Sequence, residues 1–233
     1  MKYIDFILRP ILQILCPPQC LPCGKTLSTG VICGSCLVSI PCNTTLFCAQ
    51  CGARLPDARK ICHRDAAYLL GSAGPYDNPA IRCLIHNLKF RGARGAAEPL
   101  AELIARYLKH LAIDLNNFLL VPIPLSRRRK NERGFNQAEE IARHLEKLLL
   151  IRARTDILAR TRHTKPQTET VDIAERRKNV LSCFSVIRSS AVAKRNILLL
   201  DDVATSGATL GEAARALKEA GARKIIGVTA AKV

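Results

Sequence analysis

Tryptophan is absent from this chain, and aromatic residues make up only 4% of its 233 positions. A partner that binds by stacking therefore finds few platforms. Acidic residues are also scarce, 19 against 36 Lys and Arg, which leaves a net charge of +17 and a pI of about 9.8. That surplus points to a polyanionic partner, with a merely solvated basic surface as the alternative. No run approaches the roughly 18 uninterrupted apolar residues of a spanning helix, so no transmembrane segment is expected. The opening stretch MKYIDFILRPILQILC is interrupted by Asp5, Arg9 and Pro10, and no small-residue cleavage site follows it. Tyr3 to Leu15 reads as a short amphipathic helix docked on the protein, with attachment to a membrane surface as a lesser alternative, and makes no convincing secretory leader.

Cysteine, by contrast, is abundant. Eleven cysteines without a convincing leader point to thiols kept reduced in the cytoplasm, where clustered pairs bind metal more often than they form disulfides. Hydrophobic residues at 48% and charged residues at 24% describe a globular chain, long enough for one sizeable core and a small accessory module.

Nine of the cysteines precede residue 63. Cys20-x2-Cys23 and Cys33-x2-Cys36 are two pairs of thiols, each able to supply half of a tetrahedron around one ion. Four soft ligands with no open position suit a structural zinc, and a segment this poor in large apolar residues needs such a crosslink to hold its fold. Cys48-x2-Cys51 is followed by Cys62, but position 65, where a partner cysteine would stand, is Asp65. His63 or Asp65 completes a second site, or the site has decayed, or ligands are exchanged between the two sets. Cys16, Cys42, Cys83 and Cys183 have no paired spacing and read as small buried hydrophobes.

From about residue 66 the pattern changes, which divides the chain into a cysteine-rich module over 1–65 and a second domain over 66–233. Ile81, Leu84, Ile85 and Leu88 predict a helix over Pro79 to Phe90, and Leu100 to Leu111 a second over Pro99 to Ala112. FLLVPI at 118–123 predicts a strand. A further helix starts near Asn136 or Gln137 and places Ile141, Leu145 and Leu148 on one face. NILLL and KIIGVTA predict buried strands flanking a helix from Leu210 to Ala220, with Gly221 just past its end. Strand, helix, strand with continuous apolar runs argues for an α/β fold, a parallel sheet with helices on both faces. Ligands of such sheets sit beyond the carboxyl ends of the strands.

DDVATSGATL, Asp201 to Leu210, stands at that place. The small residues Ala204, Thr205, Ser206, Gly207, Ala208 and Thr209 let the backbone close into an anion cradle at the start of a helix, with hydroxyls as further donors. Two adjacent carboxylates would repel a phosphate, so Asp201 and Asp202 address another part of the same ligand, either vicinal hydroxyls or a divalent cation. A sugar phosphate meets both demands.

LLLDDVATSGAT resembles the binding signature of type I phosphoribosyltransferases, in which the loop holds the 5-phosphate of phosphoribosyl pyrophosphate (PRPP) and the acids hold its ribose hydroxyls. Read with VPIPLSRRRKNERGFNQAEEIA, NLKFRG, LARTRHTKPQTETVDIAERRKNV and the cysteine-rich start, nearly the whole chain resembles the ComF/GntX family, associated with competence for DNA uptake. The resemblance implies a zinc-ribbon-like module with two sites ahead of a type I phosphoribosyltransferase-like domain, and magnesium accompanying PRPP. Position 65 is where this chain departs from the family pattern.

Arg127, Arg128, Arg129, Lys130 and Arg133 crowd the segment after the FLLVPI strand, where the resemblance implies a loop that meets pyrophosphate, and Arg forks suit its oxygens. Residues 160–178, with Lys165 and Gln167, fall where such enzymes carry a loop that closes over substrate. Any one of these side chains can equally belong to a solvated face. His86, His110, His144 and His163 stand singly and indicate no general base. Three readings follow: transfer of phosphoribose to an unidentified acceptor, in DNA uptake or in nucleotide metabolism; sensing of PRPP without turnover; and handling of single-stranded DNA on the basic surface. The resemblance also implies partners in the competence machinery.

Overall fold

The computed structural model describes residues 17–55, 62–63, 65–161 and 183–233. The helix expected at Tyr3 to Leu15, Cys16, His163, Lys165 and Gln167 lie outside the described residues.

The cysteine-rich start forms only short elements: α1 (Gly34–Val38) and the hairpin of β1 (Leu46–Cys48) and β2 (Arg54–Leu55). Cys23 and Cys51 stay exposed, whereas Ile40, Leu46, Phe47 and Leu55 are buried and join the core of the sheet. Then come β3 (Leu69–Pro75), α2 (Pro79–Phe90), α3 (Ala97–His110), β4 (Phe118–Pro122), α4 (Arg127–Arg133) and α5 (Gln137–Leu149). The hairpin β5 (Leu158–Arg160) and β6 (Phe184–Val186) follows, then α6 (Ser189–Val192), β7 (Asn196–Ala204), α7 (Ala208–Glu219) and β8 (Lys224–Lys232).

Side-chain period explains the layers. Along β7, Leu198 and Leu200 point to one face and Ile197 and Leu199 to the other, as alternation in a strand requires. On the first face they meet Ile81, Leu84 and Leu88 of α2, Leu100 and Ile104 of α3, and Ile141 and Leu145 of α5. On the second they meet Leu210, Ala213 and Leu217 of α7, together with Leu158 and Phe184 of the β5–β6 hairpin. Both faces are covered, which is why the strands read as unbroken apolar runs.

The sheet order is β2-β1-β3-β8-β7-β4, with β3, β8, β7 and β4 parallel. One feature was not expected: β1 pairs antiparallel with β3, so the cysteine-rich hairpin extends the same sheet across residue 65.

The helices start and stop for local reasons. Asn78 caps α2 by accepting from the Ala80 and Ile81 N–H groups, with Pro79 in the first turn where it costs no hydrogen bond. Asn136 caps α5, whose Leu148 is exposed at the far end instead of sharing the buried face. α7 starts two residues earlier than expected. It closes as expected, with Gly221 at φ +88° and Gly221 and Ala222 donating back to Lys218 and Leu217, the paired bonds that satisfy a helix's last carbonyls.

A candidate sugar-phosphate cleft and two metal centres

The two acids lie on β7 near its carboxyl end and, by strand alternation, face opposite sides. Asp202 is 6% exposed and pairs with Lys89 at the end of α2, Nζ to Oδ2 2.9 Å. Asp201 is half-buried and accepts the Asp202 backbone N–H at 2.9 Å. Burial first, and then the charge of Asp202, raise the Asp201 carboxyl to about 7, against the pull of Lys89 and Arg160. An acid so placed favours a cation or a hydroxyl donor as its partner.

Beyond Ala204 the chain turns through residues 205–207 and enters α7. Gly207 sits at φ +71°, a left-handed geometry that a Cβ would strain. The amino end of α7, with its partial positive charge, therefore opens beside the acids.

A cleft of about 960 Å³ brings the pieces together. Asp201, Asp202, Ala204, Thr205, Gly207, Ala208 and Thr209 line it, as do Arg129 and Arg133. Ser206 instead borders a neighbouring cavity of about 240 Å³. Arg127 and Arg128 are not in the cleft wall, and Arg128 pairs with Glu132 at 2.7 Å on an exposed surface. The segment expected as a pyrophosphate loop is partly the helix α4. Ser126 caps it by accepting from Arg129 N–H, and Gly134 at φ +74° ends it, a start and stop signal that the run of charges obscured. The helix turns Arg129 and Arg133 to the cleft and leaves Arg127 and Arg128 outside.

Two cleft residues belong to basic segments noted in the sequence but were given no role beside the acids there. Lys89 holds Asp202. Arg160, at the end of β5, lines the cleft with Arg129, and burial followed by the charge of Arg129 lowers the pKa of its guanidinium. Two guanidinium groups lining one cleft, each feeling the other's charge, make a place where an anion is favoured. At the rim, Phe90 is 64% exposed with the Arg133 guanidinium 5.4 Å from its ring centre, whereas Phe135 is 7% exposed beneath Arg94.

The cysteines form two groups. In one, the sulfurs of Cys20, Cys23, Cys33 and Cys36 lie within 4.8 Å of one another; in the other, the ligand atoms of Cys48, Cys51, Cys62 and His63 do the same. Of the alternatives left open by sequence, the geometry selects His63: its Nδ1 is 3.4 Å from Cys48 Sγ. Without a cation, crowded thiols cannot all ionise. The backbone N–H of Cys36 draws the Cys33 thiol down to about 7, while the Cys33 side chain pushes Cys36 up to about 12. A divalent ion removes that conflict, and sets of four sulfurs, or three sulfurs and an imidazole, suit tetrahedral zinc. Both groups could hold a metal ion, and among the described residues they are the two that could.

The chain is similar to known proteins over most of its length. Residues 96–233 match the phosphoribosyl transferase domain family. The chain is 29% identical over 219 residues to the DNA utilization protein YhgH of Escherichia coli O157:H7, covering 90% of this chain and 94% of that one. It is 30% identical over 209 residues to the competence protein ComFC of Bacillus subtilis, covering 82% and 79% of the two chains. With the competence protein F of Haemophilus influenzae it shares 27% identity over 223 residues, 89% of this chain and 93% of the relative. A solved structure, the glutamine PRPP amidotransferase from B. subtilis complexed with ADP and GMP, superposes with a TM-score of 0.38 at 16% identity, covering 65% of this chain and 28% of that one. The chain belongs to the ComF/YhgH family of competence and DNA-utilization proteins, built on a phosphoribosyl transferase domain.

Proposed function

We propose that the cleft binds PRPP together with magnesium, and that the basic surface around it binds single-stranded DNA in the cytoplasm, in support of DNA uptake. The observation that carries this reading is the arrangement of the cleft. The paired acids, a small-residue cradle at the amino end of α7 and the arginines Arg129, Arg133 and Arg160 line one cleft. A ligand with a phosphate at one end, hydroxyls in the middle and a diphosphate at the other complements all three.

In this arrangement the backbone of residues 205–209 orients the 5-phosphate, and Asp201 addresses the ribose hydroxyls or the cation, since Lys89 already engages Asp202. Magnesium, when bound with the ligand, neutralises charge on the departing diphosphate. The arginines stabilise that same charge as the bond to C1 breaks, and an acceptor attacks a carbon held in place. Relatives named for competence and DNA utilization support the DNA arm, as does the net charge of +17.

The test replaces Asp201→Asn together with Asp202→Asn, which keeps shape and removes charge. Lost hydrogen bonds from charged groups cost roughly 1.5–3 kcal/mol each, so PRPP affinity should fall about a hundredfold or more in a folded protein. Unchanged affinity by calorimetry overturns the assignment. Pyrophosphate release with a candidate acceptor identifies a transferase; binding without release identifies a sensor.

A further inference from the structure

We propose that Tyr68 is a positioning residue for the phosphate loop and ties that loop to the metal centre of Cys48, Cys51, Cys62 and His63. This rests on reading residues 205–209 as a phosphate cradle.

Tyr68 stands five residues after His63 and immediately before β3. It is 5% exposed, and its hydroxyl donates to the Gly207 carbonyl at 3.2 Å. That carbonyl also accepts the Gly211 N–H at 2.8 Å, within the first turn of α7. One phenol therefore grips the turn between the acids and the helix.

The socket around it is made of glycine. A Cβ at Gly207 would stand 2.9 Å from the Tyr68 oxygen, and one at Gly227 would stand 2.9 Å from two ring carbons; at Gly211 the gap is 3.8 Å. Glycine in the middle of a strand is unfavourable, so Gly227 in β8 has its reason in the ring it admits. Burial, followed by the charge of Asp201, raises the phenol's pKa and keeps it a donor.

On another side Tyr68 adjoins the segment that carries the second cysteine group. Ala49, between Cys48 and Cys51, lines the 240 Å³ cavity together with Tyr68, Ser206, Gly207 and Ala208. β1 ends in Cys48, which pairs in register with Leu69, the residue after Tyr68. A ligand of the metal and the residue that grips the loop are thus one strand pair apart. Loss of the ion frees Cys48 and His63, and with them both approaches to Tyr68.

The experiment follows hydrogen exchange in peptides covering residues 205–211 of the full chain, alongside zinc content and PRPP affinity. Tyr68→Phe keeps the ring and deletes the donor; it should leave zinc unchanged, speed exchange in the loop and weaken PRPP about tenfold, the scale of one hydrogen bond. Cys62→Ser should lose one zinc and speed the same peptides. Cys23→Ser, in the other group, should lose one zinc and leave them alone. Unchanged loop exchange in Tyr68→Phe overturns the positioning role, and loosening confined to residues 48–63 in Cys62→Ser overturns the coupling. Absence of PRPP binding by the wild type would instead sink the cradle reading, while exchange still reports on Tyr68.

Discussion

The carboxyl of Asp201 offers a direct measure of what the cleft binds. Burial and the neighbouring Asp202 raise it to about 7. At pH 6 about one-tenth of such a group is ionised, and at pH 8 about nine-tenths. A ligand that brings magnesium or hydroxyl donors selects the ionised form, so affinity should climb about tenfold across those two units. The stability of the free protein runs the other way. Because the folded state holds this proton more tightly than the unfolded chain does, the contribution is fully present below the ordinary carboxylate range and is lost as pH rises through about 7. Asp201→Asn should remove both slopes. PRPP also carries phosphates that titrate near pH 6, so the informative quantity is the ratio of wild-type to variant affinity, measured by calorimetry at pH 6, 7 and 8 with magnesium and ionic strength fixed. A ratio that stays constant across this range refutes both the placement of the ligand on Asp201 and the origin of its raised pKa.

Two further outcomes follow from the metal centres and the basic face. Purified protein should carry two zinc ions; Cys20→Ser with Cys23→Ser should remove one and loosen the residues around Cys20 to Cys36, His63→Ala should remove the other, and Asp65→Ala neither, so elemental analysis giving a single zinc in the wild type would sink the second site. Single-stranded DNA should bind with a salt slope near −0.7 per phosphate contact. Arg127→Ala with Arg128→Ala, outside the cleft wall, should weaken DNA without weakening PRPP, and Phe90→Ala should cost roughly 1–3 kcal/mol if a base stacks there. Anisotropy indifferent to salt and to these changes would leave the charge without a nucleic-acid role.

What was legible in the sequence was local. The apolar faces of α2 and α5 repeat every three to four residues, and the central strands are unbroken because both sides are covered, so periodicity alone located them. DDVATSGATL was legible for a similar reason: strand, acids, small loop and helix start are contiguous. The helix α4 escaped because helices are found by their apolar stripe and this one is charged almost throughout. Only its caps, Ser126 and Gly134, betrayed it. The fourth ligand of the second cysteine group was legible only as a choice that included His63 and Asp65. Spacing cannot make that choice, whereas the fold brings the His63 ring within 4.8 Å of the three sulfurs. The pairing of β1 with β3 and the contact between Tyr68 and Gly207, 139 positions apart, belong to the set of facts that no window of neighbours encodes. Sequence displays Gly207, Gly211 and Gly227 as three separate glycines, each with an ordinary local explanation in a turn, a helix or a strand. Only when the chain is folded do they surround one ring. The same ring then lies between a candidate metal ligand and a candidate phosphate cradle, so a change at Cys48 or His63 reaches residues 205–209 through packing, without any change in the cradle's own sequence.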